Sequence, residues 1–424
     1  MTKNQNWKRL AAAGIASLTV FGSSLAAQDE LPSREEMWAI IQKQQEQINA
    51  LLERVDTTET KLVETEQEIE VTAGKVETTA SFVEGYVSSG AASGGSASAA
   101  ERTHLGGYGE LHYNFGKADS ADFHRWVLFL DHAFNDDIRF VSEVELEHSI
   151  AGDGQPGEIE LEQAYVEFDL NDTDTAKAGI FLVPVGILNE THEPATFYGV
   201  ERNNVEKNII PTTWWEGGVA YRHTNDSGWA FDAAAHTGLF APTSGSKAFN
   251  IRSGRQKVGS AEASDGAITT RATYSGTPGL QVGFSAQYQT DIAQGTLAES
   301  IDATLVSAHA DYQRGGFGLR ALYARWDLGG AAPGINGADE QFGYYIEPSY
   351  RFATEAGDVG FFARYSVYDN YAGSASNTED AFFDIGMNYW PIENVVFKWD
   401  VQFTDYANSA KDEEIINIGV GYHF

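Results

Sequence analysis

The sequence predicts an all-β transmembrane barrel of about 16 antiparallel strands, with an N-terminal α-helical coiled-coil segment ahead of it. Three observations carry this reading. The chain ends on a strand in which Ile416, Ile418, Val420, Tyr422 and Phe424 alternate with Asn417, Gly419, Gly421 and His423. Segments of the same period recur upstream in an even number, as single-chain bacterial barrels require. Their connections alternate between short turns and long loops. Apolar residues on such strands face lipid and the alternate set faces a lumen, so no strand reads as a continuous apolar run.

Composition agrees. The 424 residues include 43 Gly, 19 Tyr and 24 Phe but only 3 Met, a balance suited to strands rather than to helical cores. A formal net charge of −33 excludes nucleic acid as a partner, because phosphate backbones demand basic patches. Cys is absent, which suits an exported chain that needs no disulfides.

Residues 1–27 read as a signal peptide. Lys3, Lys8 and Arg9 precede an apolar run from Leu10 to Leu25, and Ala26-Ala27-Gln28 offers small residues for cleavage. The competing reading is a membrane anchor, but the run is shorter than the ~20 residues a bilayer takes. Residues 28–86 read as a periplasmic coiled coil. From Glu35 onward Ile41, Ile48, Val55, Leu62, Ile69, Val76 and Val83 recur every seven residues. The d positions fade from Met37 and Leu51 to Thr58, Thr65, Thr72 and Thr79, so the coil depends on its oligomer partners. A solvated acidic helix is the alternative. Residues 87–103, rich in Ser, Gly and Ala, read as a flexible linker.

Residues 104–424 read as the barrel. The expected strands are 105–115, 123–134, 138–148, 159–170, 174–183, 215–223, 229–238, 267–275, 279–290, 301–313, 316–327, 341–352, 357–368, 380–390, 394–405 and 412–424. Short periplasmic turns and long outer loops would give the observed alternation, so the first strand rises from the periplasm. The terminal aromatic residue resembles the sorting signal read by the bacterial barrel-assembly machinery. Together with the signal peptide it predicts the cell outer membrane of a Gram-negative bacterium, with the N-terminal segment in the periplasm and lipid and lipopolysaccharide around the barrel.

Strand parity assigns the lumen. Arg320, Arg351, Arg364 and Lys398 point inward as pore-lining basic residues. Glu143, Glu145 and Glu147 point inward from the opposite wall as pore-lining acidic residues. Opposed walls of this kind set up a transverse field that favours small polar solutes; local pairing of the same charges is the alternative. The longest loop, 184–214, is rich in Trp, Tyr, Phe and Ile, which predicts packing inside the barrel as a constriction. Its charged and titratable residues are Glu190, His192, Glu193, Glu201, Arg202, Glu206 and Lys207. A second basic run, Lys247, Arg252, Arg255 and Lys257, would recruit anions or bind lipopolysaccharide phosphates; a solvated loop is the plainer reading.

The long loop, the segment WPIENVVFKWD at Trp390–Asp400 and the terminal strand resemble the phosphate-selective porin O and P family. The resemblance covers about 104–424 and is strongest in 123–217. It implies a homotrimer of sixteen-stranded channels that pass phosphate along a basic ladder. This chain departs from such a ladder: of its 61 acidic and 28 basic residues only 14 and 8 fall in residues 1–100, so the remainder is acidic by 27. The expected function is an outer-membrane porin, a water-filled channel for passive diffusion of small polar or ionic solutes, phosphate or other anions among them. The alternative is a tether whose coil contacts peptidoglycan. No catalytic residue, cofactor or metal site is expected, since none of the 10 His falls in an HExxH or paired-ligand spacing. His148-Ser149 beside Glu147 is the nearest approach to a catalytic constellation.

Overall fold

A computed structural model describes residues 102–424, apart from 117 and 408–410, and six positions nearer the N-terminus. Those six, Arg34, Trp38, Gln42, Lys43, Gln45 and Asn49, are helical, and the Gln45 amide donates to Asn49 Oδ1 one turn on, at 3.3 Å. The expected signal peptide, most of the heptad segment and the linker lie outside the described residues.

The rest is a single sheet of sixteen strands: β1 (Thr103–Phe115), β2 (Ser120–Ala133), β3 (Ile138–Glu147), β4 (Ile159–Asn171), β5 (Asp174–Leu182), β6 (Trp215–Thr224), β7 (Trp229–His236), β8 (Ala267–Thr277), β9 (Leu280–Gln289), β10 (Ala303–Arg314), β11 (Phe317–Leu328), β12 (Glu340–Thr354), β13 (Gly357–Asp369), β14 (Asp380–Ile392), β15 (Val395–Asp405) and β16 (Glu414–His423). Each pairs antiparallel with its sequence neighbours, and β1 pairs with β16 to close the barrel. Closure abolishes sheet edges, the condition for strands to stand in lipid. The C-terminal aromatic completes it: Gly107 and Phe424 exchange backbone hydrogen bonds of 3.0 and 2.9 Å. Every expected strand is present, with ends within three residues of those predicted.

The short connections fall at one end. Among the two-residue turns is Gly315-Gly316, both at positive φ (54° and 83°), between the paired residues Arg314 and Phe317. A two-residue hairpin of this hand needs positive φ at both positions, which glycine adopts without a Cβ clash. The long connections, 183–214 and 237–266 above all, rise from the other end.

Burial is inverted relative to a soluble protein. Leu105, Ile159, Val219, Ile268, Phe284, Ile385, Phe397 and Ile418 are exposed, while Glu110, Arg125, Glu143, Glu162, Arg364 and Asp384 are buried. Large apolar groups outside and paired charges inside are what lipid and a wet lumen require. Besides register shifts beside three hairpin turns, two β-bulges interrupt this alternation within the strands. On β2, Phe123 and His124 together oppose Leu111 of β1, because Glu110 pairs with Arg125 and His112 with Asp122. On β4, Glu162 is the extra residue between Leu161 and Gln163, which pair with Val144 and Glu143. Each bulge turns an additional polar side chain toward the interior.

Candidate channel lining

The interior is built around the connection 183–214. Its base is clasped by Asn189, whose amide donates to the carbonyls of Val183 (2.8 Å) and Trp214 (2.9 Å) and whose Oδ1 accepts from Trp214 N (2.7 Å). From that clasp the loop runs along the inner wall. On the β10–β12 side Val205, Ile209 and Ile210 join Leu305, Leu322, Trp326 and Tyr345 in a buried apolar cluster, with Leu239, Phe249, Ile251 and Ile292 from neighbouring loops. Trp326 Nε1 donates to Ile209 O at 2.9 Å. The expected inward packing of this loop is therefore seen, and its aromatic and branched residues carry it.

On the β1–β4 side the loop is held by charge. Arg125 is wholly buried; its Nε donates to Glu110 at 2.6 Å and its Nη2 to the His192 carbonyl at 2.6 Å. His192 Nε2 stands 3.5 Å from both Glu143 and Glu162. Burial alone would depress the pKa of His192, but these carboxylates outweigh it and raise it to about 10. Glu201 meets His112 Nδ1 at 3.1 Å. Burial opposes ionisation of Glu201, yet His112 holds its carboxyl well below the usual range. Away from that side, Glu190 bonds Arg271 of β8. The Glu193 carbonyl accepts from Thr196 N at 3.0 Å and so starts a short 3-10 turn. Glu206 is fully buried and internal to the loop, accepting from Ile187 N (2.6 Å), Leu188 N (2.7 Å) and the Tyr345 hydroxyl (2.9 Å). It braces the loop rather than charging a passage. Lys207 is exposed and its carbonyl receives Arg252.

Of the basic strand residues chosen by parity Arg364 and Lys398 are buried, and the four do not form a bare wall. Arg320 bonds Asp311 (2.7 Å), Arg351 bonds Asp358 (2.8 Å), and Arg364 bonds both Glu347 and Asp384 (3.1 Å each) and the Tyr198 carbonyl (3.2 Å). Lys398 is buried with its Nζ 3.5 Å from the centre of the Phe197 ring. Antiparallel pairing sets Arg364 across from Asp384 and Arg320 across from Asp311, so these two cations each find an anion one strand away, whereas Lys398 stands across from Asn388 and Gly419. The opposed basic wall expected on β11–β15 is thereby corrected. Glu145 and Glu147 form an acidic stripe with Glu160 of β4, their carboxylate atoms within 4.8 Å of one another, while Glu143 stands 3.5 Å from His192 instead.

The basic run of 237–266 is also not a solvated loop; among its four members only Lys247 is exposed. Lys257 bonds Glu160 and, at 2.9 Å, Glu158. Arg252 and Arg255 turn onto the long loop. Arg252 Nη1 donates to the carbonyls of Lys207 and, at 3.1 Å, Thr212; Arg255 donates to Thr213 O; and Arg202 donates to Thr213 Oγ1 at 2.9 Å. Three guanidinium groups thus share one dipeptide, and none makes an ion pair among the described residues. Burial, with the charges of Arg255 and Arg202, brings the pKa of Arg252 down to about 9. Sequence parity misses this grouping because all three lie on loops. It also misses His124 and Glu162, which the bulges deliver, and Arg125, whose only sequence signal is its place on a strand beside Glu110's strand.

Solved structures share the architecture. The anion-selective porin from Comamonas acidovorans superposes with a TM-score of 0.54 at 12% identity, covering 76% of this chain and 99% of that one. OmpF of Salmonella typhi in complex with daunomycin does so at 0.54 and 14%, covering 76% and 97%. In sequence, an uncharacterized protein of Aquifex aeolicus (strain VF5) is 28% identical over 378 residues, 80% of this chain and 84% of the relative. The model of the phosphate-selective porin O and P family matches residues 108–424. A closed outer-membrane barrel with a polar interior and an inward-folded loop, matched over that whole length, means that the chain belongs to the phosphate-selective porin O and P family.

Proposed function

We propose that the barrel is a water-filled channel for passive diffusion of small polar and ionic solutes, in which anions of phosphate size are drawn to the guanidinium groups of Arg202, Arg252 and Arg255. The single observation behind this reading is that these three, gathered on Thr212-Thr213, carry no carboxylate partner among the described residues. Most other interior cations are neutralised, so an acidic barrel still offers an anion a concentrated positive face. Arg202 and Arg255 feel the carboxylates of Glu145 and Glu160 respectively, so acidic and basic faces oppose each other across the loops rather than between β3 and β11. Opposed faces orient water and penalise apolar solutes while small ions pass. The anion selectivity named for the Comamonas porin accords with this, and so does the family's name.

The trimer implied by the resemblance, the periplasmic placement of residues 28–86, delivery by the barrel-assembly machinery through Phe424, and contact of Lys247 with lipopolysaccharide phosphate belong to the same proposal. Conductance in a planar bilayer under a KCl gradient tests it. A reversal potential on the anion side is expected, moving toward the cation side in Arg202→Ala and Arg255→Ala, with phosphate slowing chloride current. Absence of conductance, or cation preference unaltered by both substitutions, would overturn it.

A further inference from the structure

Three of the 10 His, far apart in sequence, meet at the loop end of the inner wall. His112 comes from β1, His124 from the bulge of β2, and His148 from the residue after β3. The rings of His112 and His124 stack at 4.7 Å, and His148 stands edge-on to His124 at 5.7 Å. Between His124 and His148 lies Asp122. Its carboxylate is 3.1 Å from His124 Nδ1 and 2.8 Å from His148 Nδ1. These two imidazoles are its only side-chain partners among the described residues.

Two local devices fix the arrangement. The bulge puts His124 on the same face as Asp122 and Arg125, where regular alternation would have placed only two of the three. His148 adopts φ +51°, a left-handed conformation uncommon outside glycine, while its backbone N–H donates to His124 O at 3.1 Å. The side chains of Asp122, His124 and His148 are 28%, 26% and 34% exposed, so a hydrated ion can reach them. His112 is already engaged between Glu110 (3.2 Å) and Glu201 (3.1 Å).

We propose that Asp122, His124 and His148 form a binding site for a divalent transition-metal ion of the zinc or nickel class at the mouth of the lumen. Their ligand atoms already lie within 4.8 Å of one another. Metal bonds of about 2.0–2.1 Å in tetrahedral geometry set ligand atoms roughly 3.3 Å apart, so the hydrogen-bonded separations need widen by only a few tenths of an ångström. The ion takes the place of the protons that the imidazoles now share with the carboxylate. Two nitrogens and one oxygen select zinc, nickel or copper over magnesium and calcium, which prefer all-oxygen shells. Three protein ligands leave a position for water, as at sites that exchange their ion rather than brace a fold. Because His124 also touches His112, and His112 holds Glu201, an ion here sits one ring away from the long loop. Occupancy is therefore felt in the conductance.

The test uses the full-length channel, purified without a histidine tag, in detergent at pH 7.5. Equilibrium dialysis with metal analysis is expected to find one zinc per chain at micromolar free zinc, retained against excess magnesium. Asp122→Asn and His148→Asn should each weaken zinc binding about tenfold or more. Asn tolerates the left-handed backbone at 148, so that variant keeps its fold, checked by heat-modifiable migration on a gel. His112→Gln should leave zinc affinity within about threefold. In bilayers, micromolar zinc should lower the conductance of the wild type but not of the folded His148→Asn channel. Failure of the wild type to retain zinc, equal retention by both folded variants, or displacement by magnesium would overturn the site.

Discussion

The two sides of the inner wall hold the same loop by opposite chemistries. Toward β10–β12 the contact is dry: Val205, Ile209 and Ile210 lie on Leu322, Trp326 and Tyr345. Toward β1–β4 it is ionic: Arg125, His192 and Glu201 meet Glu110, Glu143, Glu162 and His112. Dispersion packing is indifferent to pH and salt, whereas an ion pair out of water is strong only while both partners stay charged. The loop thus has a fixed hinge side and a side whose hold depends on protonation. The titratable side is also the one that carries the acidic stripe and the guanidinium face.

The sharpest way to break this comparison is Arg125→Met. Arg125 is fully buried, and it ties Glu110 to the His192 carbonyl. Removing one member of a buried pair leaves the other uncompensated and costs roughly 3–5 kcal/mol. A lower urea midpoint for the detergent-refolded barrel is expected, with much of the loss recovered by adding Glu110→Gln. Next in size is Trp326→Ala on the dry side, expected to cost about 3 kcal/mol through the cavity left under Ile209. Hydrogen exchange should then rise across 203–211 and not across 190–196; equal loosening of both stretches would mean the two sides are one cooperative unit.

His192 sharpens the contrast further. Its folded pKa of about 10 lies above the ~6.5 of an unfolded histidine, so its contribution is complete below pH 6.5 and disappears as pH rises through 10. Within that window the 190–196 stretch should open progressively, read as faster hydrogen exchange corrected for intrinsic rate. His192→Gln should abolish the pH dependence. The dry side at 203–211 should not respond. A response of both, or of neither, would remove the distinction.

Much of this was legible in the sequence, and the reasons differ by region. Strands show themselves because lipid imposes apolar residues on one face and closure imposes an even count; Ile416 to Phe424 could be read from period alone. The loop's inward packing followed from Trp214, Tyr198 and Ile209 in a segment too apolar for water. Charge pairing was not legible. Parity put Arg364 and Asp384 inside, but only the register between β13 and β14 sets them opposite each other. Bulges are harder still, since one inserted residue reverses parity without changing composition; His124 and Glu162 were invisible for that reason. Contacts between loops, such as Arg202 and Arg255 on Thr213, have no period to read.

The smallest predicted effect bears on which cations an ion in transit meets. Arg351 and Asp358 are each more than a third exposed and 2.8 Å apart, and the Arg351 guanidinium also lies 4.2 Å over the Trp390 ring. An exposed pair of this kind contributes about 0–1 kcal/mol, and its field is already dipolar at a few ångströms. Arg351→Ala should therefore leave the urea midpoint nearly unchanged and the reversal potential under a KCl gradient within error of the wild type. Arg255→Ala, which removes a charge with no carboxylate partner among the described residues, should move it. If the two substitutions shift the potential equally, the strands and not the loops set the field, and ionic partners within the sheet do not screen the passage. A shift from Arg255 alone locates selectivity on the loops, where the ionic side of the wall and the guanidinium face adjoin.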